Sequence, residues 1–276
     1  MYKDDNSQLE FELYDCPGKY WLSSRRTAFV SELRFLASKC LHPIPDYQCL
    51  SYAPDALNNK LIVTARRSTD SEIVAFTSAV ILPIGPLPAN RGHPSPSELF
   101  NIFHTGLTCI SPDIRRQGMT IELFARISIF MTDRYPDGFW LTNLAEVPSS
   151  LVSISHYATQ VFPSPSIIKP TATHLHIAKS ISKYHRDALL ISSDAVFDPD
   201  HFVFVGFNLP GPCFRKSRDD NRFHHRKMAL NKIYRDLLGS EGNEVLQVGY
   251  ISCGRIVEAS NEEEMLHQPL LPLQVM

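Results

Sequence analysis

The chain has 276 residues, of which 43% are hydrophobic and 20% are charged, and its formal net charge is −2. This composition is typical of a folded globular protein, and the near-neutral charge gives no overall attraction to nucleic acid or to an anionic membrane. No apolar run approaches the roughly 20 residues that a membrane-spanning helix needs. The acidic, polar start has no secretory signal pattern, so a cytoplasmic protein without a membrane anchor is expected.

The six cysteines lie far apart in sequence, and no two of them form a Cys-x-x-Cys pair. A disulfide framework or a zinc ribbon would need closer spacing or a smaller chain. The histidine pairs His174/His176 and His224/His225 lack a cysteine or carboxylate at a standard ligand spacing. The sequence therefore predicts reduced cysteines and no metal site.

The first predicted element is a helix over residues 25–41, after a polar N-terminal segment of residues 1–19. Apolar residues recur in this helix at nearly helical spacing, and the proline-containing segment "HPIPD" ends it. Two apolar runs then flank the polar "STDS", which predicts a β-hairpin with strands near 61–66 and 73–82.

A loop rich in proline, glycine and asparagine follows over residues 83–98, and "LFNIFHTGLTCI" predicts the next strand. A helix is predicted over 117–134, with a broad apolar face that suits packing on a sheet. "FWLTNLAEV" predicts another strand, and a short helix is predicted to end before Pro163. The order α-β-β-loop-β-α-β-α predicts a mixed α/β fold.

The remainder of the chain, residues 166–258, is predicted to be a C-terminal extension that completes the sheet. Its final strands are expected near 201–208 and 244–252, and "MALNKIYRDLLG" predicts a helix with Gly239 as its C-cap. The run 214–227 is rich in basic and aromatic residues. The tail, 259–276, is expected to be frayed.

The stretch "TCISPDIRRQGMTIELF" places Arg115 and Gly118 between a predicted strand and an amphipathic helix. The start of a helix has unpaired N–H groups and a partial positive charge, and a glycine there lets a phosphate approach the backbone. An arginine nearby adds a charged donor. These residues would suit a pyrophosphate. Alternatively, Gly118 only relieves a tight turn while the arginines face water, since a short glycine motif is weak by itself.

The same stretch resembles the central motif of the GCN5-related N-acetyltransferases, Arg/Gln-x-x-Gly-x-Gly/Ala between a strand and a helix. In that family the backbone amides of this loop hold the pyrophosphate of coenzyme A. The resemblance covers the core, residues 20–165, and implies a mostly antiparallel central sheet flanked by helices. Thr120 stands where the family usually has glycine or alanine. The loop residues that the resemblance assigns to cofactor binding are Arg115, Arg116, Gln117, Gly118, Met119 and Thr120.

The resemblance also implies roles for residues outside this loop. The backbone around Thr108, Cys109 and Ile110 would contact the acyl donor and supply an oxyanion donor. Asn143 matches the family's cofactor-contacting asparagine region, and Tyr157 matches a tyrosine that often protonates the leaving thiolate. Tyr157 could instead be a buried aromatic residue of a short helix.

A general base would be needed to deprotonate the amine. His104 is the candidate best placed by sequence, because it lies four residues before Thr108 on the same predicted strand and strand alternation puts both on one side. His156, beside Tyr157, is a second candidate. Either histidine could instead be structural.

The resemblance implies an acyl-CoA-dependent N-acyltransferase that uses acetyl-CoA or another acyl-CoA as donor. A small amine is the expected acceptor, because no long acidic run offers a groove for a basic peptide. Two alternatives stay open. One is an enzyme of the same fold with another donor, such as aminoacyl-tRNA, which the run 214–227 would bind. The other is a non-catalytic binding protein on a degenerate scaffold.

Overall fold

The computed structural model describes residues 9–86, 100–115, 118–207, 220–252 and 273–275. The helices are α1 Ser23–Ser38, α2 Met119–Arg134, α3 Pro148–Tyr157, α4 Ala172–Tyr184 and α5 Met228–Leu238. The strands are β1 Leu9–Asp15, β2 Lys60–Arg67, β3 Ile73–Ile84, β4 Phe100–Ile110, β5 Phe139–Ala145, β6 Thr159–Phe162, β7 Val196–Asp198, β8 Val203–Val205, β9 Glu244–Ile251 and β10 Leu273–Val275.

The chain divides into two compact units, and strands β3 and β4 each run from one unit into the other. The first unit comprises Met1–Ile81, Gly106–Arg134 and Ser260–Met276. The second unit comprises Leu82–Thr105 and Tyr135–Ala259.

In the first unit the strands lie in the order β10, β1, β2, β3, followed by the part of β4 that begins at Gly106. Strand β2 is antiparallel to both β1 and β3, while β10 is parallel to β1, with Phe11 opposite Leu273. The hairpin of β2 and β3 is the one that the apolar runs around "STDS" predict.

Each face of this first sheet is covered by one helix. Tyr14 and Ile62 belong to a core cluster with Phe29 and Leu33 of α1. Successive strand residues point to opposite faces, so Phe11 lies on the face away from Tyr14. There the guanidinium of Arg126, from α2, lies 3.8 Å from the centre of the Phe11 ring.

Arg126 is only 2% exposed, and a carboxylate of the preceding helical turn balances its charge. Its Nε donates to Oε1 of Glu122 at 2.8 Å, one helical turn toward the start of α2. A buried charge needs such a partner, since an unpaired one costs several kcal/mol, roughly 3–5. The pair holds the Arg126 side chain in place, and its contact with Phe11 attaches the first two turns of α2 to β1.

The second unit is built around β9. Strand β5 is antiparallel to one edge of β9, from the pair Phe139 and Ile251 to the pair Ala145 and Val245. The other edge of β9 pairs with β8 and β6. The beginning of β4 is parallel to β5, and this ladder has two residue pairs, ending at His104 opposite Thr142.

Helices cover both faces of this second sheet. One core cluster joins α3 and α5 to β5, β8 and β9, and its buried members are Ala145, Leu151, Val152, Val203, Tyr234, Leu238 and Val245. Helix α4 packs against β9, and the His174 ring of α4 meets Trp140 of β5 edge-on at 5.5 Å. Trp140 and Ala145 differ by an odd number of residues and so lie on opposite faces.

The mixed α/β class with a mostly antiparallel sheet is confirmed, and the helices predicted near 25–41, 117–134 and 228–238 are α1, α2 and α5. Gly239 follows α5 with a φ of 63°, as a C-cap glycine does. Parts of the predicted pattern, namely the loop near 87–98, residues 214–219 of the basic run and most of the tail, lie outside the described residues.

Five short strands differ from the sequence predictions, and one of them, β7 Val196–Asp198, has no predicted counterpart. Leu9–Asp15, within the predicted polar segment 1–19, forms β1, and Leu273–Val275, within the tail expected to be frayed, forms β10. Thr159–Phe162, predicted as part of a helix, forms β6. The strand expected over 201–208 is reduced to β8, because Phe202 and Gly206 on either side of it have positive φ angles of 55° and 76°.

Among the described helices, none combines the length and the apolar character that crossing a bilayer requires. Within the same described residues, no three His, Cys, Asp or Glu side chains come together in an arrangement that could hold a metal ion.

Candidate functional site

The junction between β4 and α2 is a short, internally bonded turn. Ser111 ends the strand, where its N–H donates to the carbonyl of Val74 on β3 at 2.8 Å. A turn of 3-10 helix, Pro112–Ile114, follows, and the Ile114 N–H donates back to the Ser111 carbonyl at 3.1 Å. The Ser111 hydroxyl is hydrogen-bonded to the Asp113 carboxylate. The chain therefore leaves the sheet in a defined direction before the helix begins.

Gly118 forms the start of α2 and has a backbone that favours glycine. Its φ is +75°, in the left-handed region that side chains disfavour. Its carbonyl accepts hydrogen bonds from the N–H groups of Ile121 and Glu122, at 2.9 and 3.1 Å. Among the described residues other than its chain neighbours, none has an atom within 4 Å of a Cβ added to Gly118. The helix start therefore opens onto free space, where a ligand could reach the first N–H groups.

The described side chains around Gly118 divide into exposed polar and buried apolar ones. Arg115 is exposed, and its Nε donates to the Ile110 carbonyl at 3.2 Å. Thr120 is also exposed, on the first turn of α2, whereas Met119 is buried. Met119 can therefore offer a ligand only its backbone N–H. Arg116 and Gln117 lie outside the described residues.

The one carboxylate in the described part of this turn is balanced by an arginine. Oδ2 of Asp113 lies 3.2 Å from Nη2 of Arg67. The hydrogen bond from Ser111 holds the pKa of Asp113 below its ordinary value, and Arg67 acts in the same direction. Its negative charge is thus partly compensated before any anion approaches the helix start.

The end of β4 directs alternate N–H groups to opposite edges of the strand. The Leu107 N–H donates to Oγ of Ser78 and the Ser111 N–H donates to Val74, both on β3. By alternation the N–H groups of Thr108 and Ile110 point away from β3, and that of Cys109 points toward it. Among the three predicted residues, the oxyanion donor can therefore come from Thr108 or Ile110.

His104 is enclosed in the second unit. The side chain is 1% exposed, and its Nδ1 lies 2.9 Å from Oγ1 of Thr142. Burial lowers the pKa of His104 to about 3, with a smaller contribution from the charge of His185. The imidazole is neutral at pH 7 and shielded from water, which fits a structural histidine better than a general base.

Asn143 lies on β5, and of the two polar atoms in its side-chain amide only the oxygen has a hydrogen-bond partner in the described structure. Its Oδ1 accepts from Oγ1 of Thr105 at 2.9 Å, while its Nδ2 is buried without a hydrogen-bond partner in the described structure. Gln247, opposite Asn143 on β9, has a similarly unsatisfied Oε1. Buried polar atoms without partners cost free energy, so this pair marks a place where a polar ligand or water would be stabilised.

Tyr157 is half-buried at the last residue of α3. The side chain of His156, before it, lies outside the described residues. The roles of Tyr157, Asn143 and the Gly118 turn stay predictions.

Sequence reasoning missed Cys40, whose Sγ lies 3.3 Å from the Ile110 carbonyl across 70 residues of chain, since no local pattern signals such a contact.

Two of the comparisons with known proteins found nothing, since no protein-family model and no curated protein matches this chain. Solved structures do show similarity, and acetyltransferases are among them.

Three of these structures illustrate the range of sequence identity, coverage and TM-score. A predicted acetyltransferase from Clostridium acetobutylicum, with acetyl-CoA, is 12% identical; 59% of this chain and 96% of that one are covered, with a TM-score of 0.37. NAA60 from Arabidopsis thaliana, in complex with acetyl-CoA, is 10% identical, with 55% and 86% covered and a TM-score of 0.37. An aminoglycoside 6′-N-acetyltransferase from Acinetobacter baumannii is 15% identical, with 54% and 86% covered and a TM-score of 0.33.

Proposed function

We propose that this chain transfers an acyl group from an acyl-CoA, such as acetyl-CoA, to the amine of a small molecule. The observation that carries the proposal is the open left-handed glycine at the start of α2. Gly118 follows a strand and a short turn, and the space where its Cβ would lie is empty. A diphosphate in that space would accept hydrogen bonds from the first N–H groups of the helix.

The neighbouring polar groups fit the same ligand. Arg115 is exposed three residues before Gly118, and its guanidinium can turn a charged fork toward a phosphate. The Thr120 hydroxyl is exposed on the first helical turn and can donate another hydrogen bond. The buried Met119 side chain does not contact the cofactor in this proposal.

The chemical step places a negative charge on the thioester oxygen and then on the leaving sulfur. The amine nitrogen attacks the thioester carbon and releases a proton to solvent water, which reprotonates Tyr157 at the end of the cycle. The N–H of Thr108 or Ile110 stabilises the oxyanion. The C–S bond then breaks, and Tyr157 donates its proton to the thiolate of coenzyme A. His104, with a pKa of about 3, is too weak a base to take the amine proton at neutral pH, so it has no part in this step.

The glycine is tested by calorimetric titration of acetyl-CoA into the wild-type chain and into Gly118→Trp. The indole would fill the space that the diphosphate needs, and loss of two phosphate hydrogen bonds weakens binding by about 3 kcal/mol, roughly 100-fold. Gly85→Trp is the matched control, because a Cβ at Gly85 also meets no atom within 4 Å. Equal affinity of the Gly118 variant and the wild type, or no binding by the wild type, would contradict the proposal.

The transfer reaction is tested separately, by following free thiol released from acetyl-CoA with a panel of small primary amines. Tyr157→Phe should lower kcat by roughly 100-fold, the low end for a general acid, with little change in the affinity for acetyl-CoA. Binding of acetyl-CoA without turnover of any amine would support the non-catalytic alternative.

A further inference from the structure

We propose that Cys40 and Cys109 form a modification site, at which a hydroperoxide oxidises Cys40 and Cys109 then closes a disulfide with it. The site belongs to the first unit. It does not depend on the proposed acyl transfer, because it is defined by thiols that this reaction does not use.

Two distant parts of the chain bring these thiols together. Cys40 comes directly after α1 and its cap residue, while Cys109 is the last residue but one of β4. Cys40 packs against the buried cluster to which Cys109 belongs, and both residues are free thiols. Sγ of Cys40 also lies 3.3 Å from the Ile110 carbonyl. Because Ile110 directly follows Cys109, this contact places the Cys40 sulfur beside the backbone at Cys109, where side-chain rotations can bring the two sulfurs together.

The two thiols differ in exposure, and this difference assigns their roles. Cys40 is partly exposed, so a small oxidant can reach it from solvent, while Cys109 is buried. An arginine lies beside Cys40, because Nε of Arg115 donates to the same Ile110 carbonyl at 3.2 Å. Cationic neighbours favour a thiolate, which is the form that reacts with peroxides.

The acidity of the four described cysteines supports the same assignment. The hydrogen bond from Cys109, with Arg115 nearby, lowers the pKa of Cys40 to about 6. The same bond raises the pKa of Cys109. Burial raises the pKa of Cys16 and of Cys49 to about 11. Cys40 is therefore the most acidic of these four thiols.

The chemistry balances with a hydroperoxide as the only oxidant. The Cys40 thiolate attacks one peroxide oxygen, the O–O bond breaks, and hydroxide leaves with the Cys40 sulfur oxidised to sulfenic acid. The Cys109 sulfur then attacks the Cys40 sulfur, the S–O bond breaks, and water leaves with the Cys109 proton. With hydrogen peroxide, two thiols and one peroxide give one disulfide and two water molecules.

The test uses the full chain, reduced and then treated with one equivalent of hydrogen peroxide. Non-reducing digestion and mass spectrometry should find one linked peptide pair, Cys40 with Cys109, which dithiothreitol separates. Linkage between other cysteines, oxidation of Cys40 beyond sulfenic acid without linkage, or an unreactive Cys40 would overturn the proposal. This wild-type measurement needs no variant to fold.

Variants separate the two roles. Cys109→Ser should leave Cys40 as a sulfenic acid that dimedone traps, and Cys40→Ser should abolish the linkage. Cys16→Ser is the control, since Cys16 is buried and should leave the linked pair unchanged. Iodoacetamide at pH 7 should alkylate Cys40 roughly tenfold faster than Cys16, because only Cys40 is largely ionised there. Equal rates would count against Cys40 as the reactive thiol.

Discussion

The two ends of β4 lie in opposite chemical settings. At the beginning of the strand, His104 is enclosed, neutral and hydrogen-bonded to Thr142. At the other end, the Ile110 carbonyl accepts a hydrogen bond from the exposed Arg115 and lies beside the Cys40 thiol. The histidine end stabilises the fold, and the Ile110 end has the groups that can meet a ligand or an oxidant.

This contrast shows why residue type alone does not identify the reactive end of a strand. Histidine is a common general base, but a buried imidazole loses its affinity for protons. A cysteine followed by isoleucine suggests only packing, yet at the turn into α2 the backbone of these residues carries the polar contacts. Four predictions test the contrast, beginning with the largest effect.

Replacement of His104 by alanine should cost about 2–4 kcal/mol of unfolding free energy, since it leaves a cavity and an unpaired Thr142 hydroxyl. Urea unfolding followed by circular dichroism measures the change. Asn101→Ala, an exposed residue on the same strand, is the matched control and should cost less than about 1 kcal/mol. If the loss of unfolding free energy in the His104 variant were no larger than in the control, the histidine would not be a stabilising residue of the core.

Acid should destabilise the wild type through His104. The pKa of His104 is about 3 when folded, against an ordinary 6.5, so between these values only the unfolded chain binds the proton. From this residue, stability should fall by about 1.4 kcal/mol per unit as pH drops below 6.5. Urea midpoints at pH 7.0 and 5.5 for the wild type and His104→Gln measure it. The same pH dependence in both proteins would show that the histidine is not responsible.

At the other end of the strand, Arg115→Ala should weaken acetyl-CoA binding by about 1–1.4 kcal/mol, which is five- to tenfold, since one charge-assisted hydrogen bond is lost. Arg134→Ala is the matched control, because Arg134 ends the same helix and pairs with Asp15 at 3.0 Å. Calorimetry at low and moderate salt measures both. Similar losses in both variants would indicate a general charge effect rather than a contact.

The smallest effect is expected at Thr120, where alanine should weaken acetyl-CoA binding by about 0.5 kcal/mol, roughly twofold, if the hydroxyl donates to a phosphate. Thr120→Ser keeps the hydroxyl and should bind like the wild type. Tighter binding by the alanine variant would show instead that the β-branched side chain crowds the ligand.

Local patterns predict most of the fold because they report local geometry. The periodicity of α1 and α2 and the alternation around "STDS" reflect which side of each element is buried. β10 is stabilised by pairing with β1, far away in sequence, so neither strand has a strong signal of its own. The shortness of β8 depends on a left-handed Phe202, a conformation that no pattern in "HFVFVGFN" indicates.

The candidate site is predictable only in part, for the same reason. Gly118 and Arg115 are recognisable because strand, turn and helix are consecutive in sequence. Strand alternation places His104 and Thr108 on one side of β4. It does not indicate which part of that side is buried by other elements. Cys40 and Gln247 come to their partners from other elements, so only tertiary structure reveals them.

The ion pair between the buried Arg126 and the partly exposed Glu122 has a consequence for recognition at the start of α2. Glu122 lies in the first turn of that helix, and its partner is enclosed against Phe11. The helix cannot rotate or slide along β1 without moving the Arg126 guanidinium away from the Phe11 ring. A phosphate arriving at Gly118 would therefore meet a preorganised set of donors, and little of its binding free energy would be spent on ordering the protein.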